Sequence, residues 1–130
     1  MQETFFAYGT LTDPATADAV LTEFEYAGAA TLVGMAVDES GEHPTLVPGG
    51  RTEGRLLHTA EVESLDEYEG VARGLYRRVS VPLDREGDGD VQVYVGDPVM
   101  LGVDGVAWPG TGPLRERVER YVDEEDVRVV

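Results

Sequence analysis

Cysteine and lysine are both missing from the 130-residue sequence. Without cysteine, the chain forms neither disulfides nor thiolate metal sites. No apolar run approaches the roughly 18 residues that a membrane-spanning helix requires. The N-terminus also lacks a basic stretch followed by an apolar one, which is the pattern of a secretory signal peptide. These absences predict a cytoplasmic protein with no membrane partner.

Positive charge is scarce. The sequence contains 26 Asp and Glu against 10 basic residues, all of them Arg, which gives a net charge of −16 and a pI near 4.2. Such a chain lacks the basic face that phosphate binding requires, so nucleic acid is not expected as a partner. The acidic surface favours a halophilic protein, because strong screening at high salt removes most self-repulsion. The alternative is an ordinary acidic protein from an organism whose codons favour arginine.

Length and composition favour one domain over residues 1–130. Hydrophobic residues make up 42% of the sequence, which argues against disorder. Predicted strands outnumber predicted helices and the two are interspersed, so the fold class is α+β with a mixed, mostly antiparallel sheet. Several short strands in so small a domain favour closure into a β-barrel flanked by short helices.

The predicted elements follow from apolar periodicity and from turn residues. Strands are predicted over 4–8, 26–38, 45–47, 51–58, Tyr76–Leu83 and 91–96. Helices are predicted over 15–24, after an Asp13-Pro14 start, over 61–68 and over 113–125. The first of these is expected to place Ala15, Ala19 and Leu11 on one face, toward the core. Turns are predicted over 39–44, 48–50 and 85–90, with irregular structure over 97–112.

One carboxylate stands out among the many acids. Leu65 and Tyr68 define the inner face of the helix over 61–68, and Glu69 borders that face where Gly70 ends the helix. Burial of a carboxyl raises its pKa toward the range of a general base. Glu69 is therefore a candidate functional acid, and a helix-end acid without a role is the alternative. Glu61, Glu63 and Glu67 are weaker candidates for a functional acid. Glu67 lies two residues after Leu65, on the opposite side of the helix.

The stretch Tyr8-Gly9-Thr10-Leu11 follows the first predicted strand. A glycine after a strand is usually part of a turn. The alternative is that Gly9, Thr10 and Leu11 present backbone N–H groups to a ligand, as a small nest for a carboxylate. The isolated His43 and His58 do not form a recognisable metal motif, so no metal site is predicted.

Three motifs in order resemble the γ-glutamylcyclotransferase-like superfamily, which includes the AIG2-like proteins and the γ-glutamylamine cyclotransferases. They are YGTL at residues 8–11, LDEYEG at residues 65–70, and the strand pair containing YRR at 76–78 and VYV at 93–95. The resemblance implies a small mixed β-barrel with flanking helices. It also implies that Tyr8 to Leu11 hold the α-amino acid end of a small γ-glutamyl substrate, with Glu69 as the essential acid.

The same resemblance implies the reaction. Members of the superfamily cut a γ-glutamyl amide by internal attack and release 5-oxoproline and a free amine, without a cofactor. Tyr76 and Tyr94 are candidates for lining the pocket, and as large strand residues they are equally candidates for the core. His43-Pro44 departs from the usual family sequence at a position expected to form the pocket wall, so the identity of the substrate stays open. A non-catalytic binding module of the same fold and a hydrolase remain alternatives, and the protein is expected to be a monomer or a homodimer.

Overall fold

Six strands close into a barrel in the computed structural model, which describes residues 2–84, 89–103 and 105–130. The strands are β1 (Glu3–Ala7), β2 (Glu25–Asp38), β3 (Thr45–Thr59), β4 (Tyr76–Leu83), β5 (Gly89–Gly96) and β6 (Arg128–Val129). Their order around the barrel is β1-β3-β2-β6-β4-β5. The β1–β5 and β4–β6 pairs are parallel and the other four are antiparallel. The predicted α+β, mixed and mostly antiparallel barrel is confirmed.

Four helices accompany these strands in the described part of the chain. They are α1 (Pro14–Val20), α2 (Val62–Glu69), α3 (Pro98–Leu101) and α4 (Leu114–Glu124). Within the same residues, none of the helices combines the length and the apolar composition that crossing a membrane requires.

The two faces of the sheet pack into two hydrophobic clusters. In β1, Phe6 belongs to one cluster while Phe5 and Ala7 belong to the other, because successive strand residues point to opposite faces. The Phe6 cluster includes Val118 of α4. The Phe5 cluster includes Leu65 of α2, together with residues of α1. Helix α2 is thus fixed against the face on which β1 ends.

The first helix is shorter than predicted and buries a different residue. Asp13 caps its start and Pro14 occupies its first position, as expected. The helix ends at Val20, because Leu21 adopts an extended conformation and joins the buried core. Ala17 is fully buried, whereas the predicted Ala15 and Ala19 are exposed. The prediction placed the wrong side of a short helix against the barrel.

The predicted turn at 48–50 is wrong. Residues 45–59 form the single strand β3, which stays paired with β2 throughout this region. The register shifts between Val33 and Met35, and Gly49 and Gly50 adopt positive φ angles of 94° and 79° beside that shift. The glycines therefore serve a β-bulge that bends the strand pair rather than a hairpin that ends it.

Two elements were missed and one prediction cannot be compared. Helix α3 lies in the stretch expected to be irregular, and its Asp97-Pro98 start repeats the device that begins α1. Strand β6 has two residues, too few to show an alternating pattern. Most of the predicted turn over 85–90 lies outside the described residues, but β4 and β5 on either side of it pair as a hairpin would. The predicted C-terminal helix agrees with α4 to within one residue at each end.

Candidate active site

One cavity of about 370 Å³ opens beside the end of β1. Its wall comes from β1 and the loop after it, the end of α2, the start of β4, and β5. All seven residues singled out in the sequence line it: Tyr8, Gly9, Thr10, Leu11, Glu69, Tyr76 and Tyr94. The fold therefore gathers into one cavity residues that lie as far as 86 positions apart in the chain.

The loop after β1, from Gly9 to Leu11, lines the cavity. Residues 10–12 form one turn of 3-10 helix, closed by bonds from the backbone N–H and the side-chain hydroxyl of Thr12 to the Gly9 carbonyl. The first N–H groups of such a turn have no partner within it. Within the described residues, no acceptor is found for the N–H groups of Gly9, Thr10 and Leu11. A Cβ at Gly9 would meet no atom within 4 Å, so the space beside this loop is open.

Glu69 is the last residue of α2. Gly70 follows it in the left-handed conformation, with a φ of 71°, and caps the helix as predicted. Leu65, one turn earlier on the same side, is fully buried. The Glu69 side chain is half-buried and lines the cavity, and in the ranges described it has no ion-pair or hydrogen-bond partner. Burial raises the pKa of this carboxyl from 4.5 to about 7.

The raised pKa predicts how stability depends on pH. Because the folded protein holds the Glu69 proton more tightly than the unfolded chain, the free energy of unfolding falls as the pH rises from about 4.5 through about 7. Glu69→Gln removes this loss, so at about pH 8 it should be more stable than the wild type by about 1 to 3 kcal/mol. Urea titrations of both proteins across this range measure the difference.

The matched control is Glu67→Gln, which changes an exposed carboxyl on the same helix. Its stability relative to the wild type should vary little over the same pH range. A Glu69→Gln difference that stays constant from about pH 4.5 to about pH 8 would contradict a carboxyl that is protonated near neutrality.

Three tyrosines form a wall around this carboxyl. Burial is the main cause that raises the pKa of Tyr8, Tyr76 and Tyr94, and the nearby negative charge of Glu69 contributes in all three. Together these effects raise the pKa of Tyr76 to about 12, and in Tyr94 the hydrogen bond to Asp66 contributes more than Glu69 does. Each hydroxyl donates to a partner in the protein. Tyr8 donates to the Tyr94 carbonyl at 2.5 Å, and Tyr76 donates to the Pro44 carbonyl at 2.5 Å. The rings are thus fixed in place as cavity walls.

A polar network attaches α2 to the sheet. The Tyr94 hydroxyl donates to Oδ1 of Asp66 at 2.6 Å, and Arg78 donates to the same oxygen at 2.9 Å. Asp66 lies three residues before Glu69 on the same helix. Because β4 and β5 both hold Asp66, they fix the rotation of the helix and so the direction of the Glu69 side chain.

The cavity lining also includes residues that were not nominated as site residues from the sequence, among them His43, Pro44, Tyr68 and Arg73. Tyr68 was assigned to the inner face of the helix, yet 41% of it is exposed. Its hydroxyl shares a 2.7 Å hydrogen bond with the Thr10 side chain, which ties α2 to the loop after β1. Pro44 was recognised only as a departure from a family pattern. The position of Arg73 depends on the turn after α2, which has no periodic pattern in the sequence.

The two histidines lie apart in the fold. His43 lies at the cavity, whereas His58 lies in β3 opposite Thr4 of β1. Across the part of the chain that the structure describes, no group of three or more His, Asp or Glu side chains is placed to hold a metal ion.

A sequence model of the AIG2-like gamma-glutamyl cyclotransferases matches residues 5–109. The chain belongs to this family. The match includes the loop at residues 8–11 and Glu69, so both sides of the cavity lie within the family domain. No curated protein sequence matches the chain at a significant level.

Solved structures show the same fold. A structure titled gamma-glutamyl cyclotransferase superposes with a TM-score of 0.64 at 15% identity, covering 95% of this chain and 99% of its own. An AIG2-like protein from Mus musculus gives 0.61 at 17% identity, covering 86% and 88%. A protein from Arabidopsis thaliana gives 0.56 at 24% identity, covering 96% and 85%. At these identities the likeness establishes the fold, and any assignment of activity depends on the cavity itself.

Proposed function

We propose that this protein is a cofactor-independent γ-glutamyl cyclotransferase. The single observation that carries the proposal is a half-buried carboxyl, Glu69, that has no ion-pair partner among the described residues and lines the same cavity as the loop at residues 9–11. The substrate is a small γ-glutamyl amide, and the products are 5-oxoproline and a free amine. The reaction balances without water, an oxidant or a second substrate.

The loop after β1 binds the α-amino acid end of the substrate in this proposal. The N–H groups of Gly9, Thr10 and Leu11, which have no acceptor among the described residues, donate to the substrate's carboxylate. The open space beside Gly9 lets the substrate approach the backbone closely. The substrate's amino group then lies on the side of the cavity that Glu69 faces.

Glu69 transfers the proton. Its carboxylate takes a proton from the substrate's α-ammonium, and the freed nitrogen attacks the γ-carbonyl carbon. The bond between that carbon and the amide nitrogen breaks as the five-membered ring closes, and Glu69 returns the proton to the departing amine. The ring nitrogen loses its second proton, which the released amine takes up, so the products are the 5-oxoproline carboxylate and an ammonium ion. A pKa near 7 suits a group that must both accept and donate a proton near neutrality.

The cavity also favours ring closure over attack by water. The tyrosine wall holds the substrate in a folded shape, and an intramolecular reaction gains much of its rate from such positioning. Asp66 acts through Tyr94 and Arg78 as a positioning residue, because it fixes α2 and does not line the cavity.

The product distinguishes the proposal from its alternatives. Wild-type protein incubated at high salt with a panel of γ-glutamyl amino acids and γ-glutamyl amines should release 5-oxoproline and free amine in equal amounts, as measured by chromatography. Release of glutamate instead would indicate a hydrolase that uses the same acid to activate water. Binding without any product, as measured by calorimetry, would indicate a non-catalytic module.

A further inference from the structure

The cavity lining is less acidic than the chain as a whole. Acids outnumber basic residues 26 to 10 in the sequence. Among the described residues that line the cavity, however, Glu69 is the one acid, and Arg73 and His43 are both basic side chains. A guanidinium in the lining of a cavity within so acidic a protein is suited to an anionic ligand.

Arg73 lies directly after the catalytic end of α2. It ends a 3-10 turn over Val71–Arg73 that lies between two left-handed glycines, Gly70 and Gly74. Its guanidinium packs against Gly70, since a Cβ built there would lie 2.9 Å from Nη2. The side chain is exposed, and no ion-pair partner for it occurs among residues 2–84, 89–103 and 105–130. Its donors are therefore available to a ligand.

The two sequence neighbours of Glu69 contact two other residues of the cavity lining, Thr10 and Arg73. Tyr68, Glu69 and Gly70 are consecutive. Tyr68 bonds to Thr10 of the β1 loop, and Gly70 contacts the Arg73 guanidinium. A γ-glutamyl amide whose glutamyl end lies at the loop, and whose amide lies at Glu69, directs its leaving amine toward Arg73.

From this arrangement we infer that Arg73 binds a carboxylate on the leaving amine, so that the preferred substrates are γ-glutamyl amino acids rather than simple γ-glutamyl amines. This inference rests on the proposed function. In the proposed function the N–H groups at the β1 loop bind the glutamyl carboxylate, which leaves the Arg73 guanidinium free to bind a second anion. A guanidinium binds a carboxylate through two parallel hydrogen bonds, which gives both affinity and orientation.

The test compares two substrates that differ by one carboxylate, γ-glutamyl-alanine and γ-glutamyl-ethylamide. Arg73→Gln should lower kcat/KM for γ-glutamyl-alanine by at least about tenfold and change that for γ-glutamyl-ethylamide by less than about twofold. Arg73→Lys should recover part of the loss, because it keeps the charge without the paired geometry. Arg51→Gln removes an equal charge from an exposed position of β3 outside the cavity and should affect neither substrate.

Each other result overturns the inference in a recognisable way. An equal loss on both substrates would place the Arg73 contact at the glutamyl end. No loss on either would remove Arg73 from substrate binding. If the wild type releases no 5-oxoproline from either compound, the proposed function fails separately. Calorimetry then tests the carboxylate contact on its own. The wild type should bind γ-glutamyl-alanine more tightly than γ-glutamyl-ethylamide, and Arg73→Gln should remove that difference. Equal binding of the two compounds, or no binding of either, overturns the inference.

Discussion

Glu69→Gln should lower kcat/KM for 5-oxoproline release by about a thousandfold, which is within the range that loss of a general acid–base group costs. Glutamine has nearly the same size and keeps its hydrogen-bonding capacity, but it cannot take the proton from the substrate's ammonium. Glu69 has no ion-pair partner among the described residues, so the change removes no structural contact of that kind. Initial rates at saturating and limiting substrate measure the effect on kcat and on kcat/KM.

The matched control is again Glu67→Gln, two residues earlier and exposed. It removes the same charge from the same helix, outside the cavity, and should leave the rates within about twofold of the wild type. Comparable rates for the Glu69 and Glu67 variants would show that another group moves the proton.

The pH profile provides an independent check of the same role. Because only the ionised carboxylate accepts a proton, wild-type kcat/KM should rise with pH through about 7, the pKa to which burial raises Glu69. The residual activity of Glu69→Gln should lack this rise. A rise that persists in the variant would assign the titration to the substrate or to a different side chain.

Gly54→Ala should lower the free energy of unfolding by about 3 kcal/mol, the upper range for forced overpacking. Gly54 lies in β3 beside the end of β1, where Ala7 pairs with Arg55. A Cβ there would lie 2.7 Å from the Phe6 ring and closer still to the Ala7 carbonyl. Both contacts are with β1, which is fixed by its pairing on both sides. Relief therefore requires the two strands to separate, and urea denaturation at high salt measures the loss.

Glu53→Ala is the control at the neighbouring, exposed position of the same strand. It should change the unfolding free energy by no more than about 0.5 kcal/mol. Equal stability of the Gly54 and Glu53 variants would contradict the close packing of β3 against β1. Because Ala7 directly precedes the cavity loop, Gly54→Ala should also reduce activity in the folded fraction.

The local sequence pattern was sufficient to predict the limits of an element where that element is long or has a clear capping residue. Strand β4 has the predicted limits, and α2 is displaced by one residue with its Gly70 cap as expected. These elements show alternation or a capping residue within their own sequence, so neighbours add little to the prediction. The 48–50 turn failed for the opposite reason, since the same Pro-Gly-Gly composition suits a hairpin and a bulge. The partner strand decides between them.

The candidate site was only partly predictable. The loop after β1 and Glu69 each border a recognisable element, so sequence spacing could nominate them. The Asp66 contacts with Tyr94 and Arg78 join a helix to two strands, and nothing local to any of the three indicates the others. The same applies to Arg73, whose direction is set by two left-handed glycines.

The order of strands around the barrel has a consequence for how the protein is made. Strand β6 pairs with both β2 and β4, so these two have no shared neighbour until Arg128 and Val129 join them. A nascent chain emerging from the ribosome therefore holds two open sheet edges until residue 129 has been synthesised. Open edges are templates for pairing with other chains. The barrel is accordingly expected to close only after residue 129 has left the ribosome, and the interval before closure is when the chain is most vulnerable to aggregation.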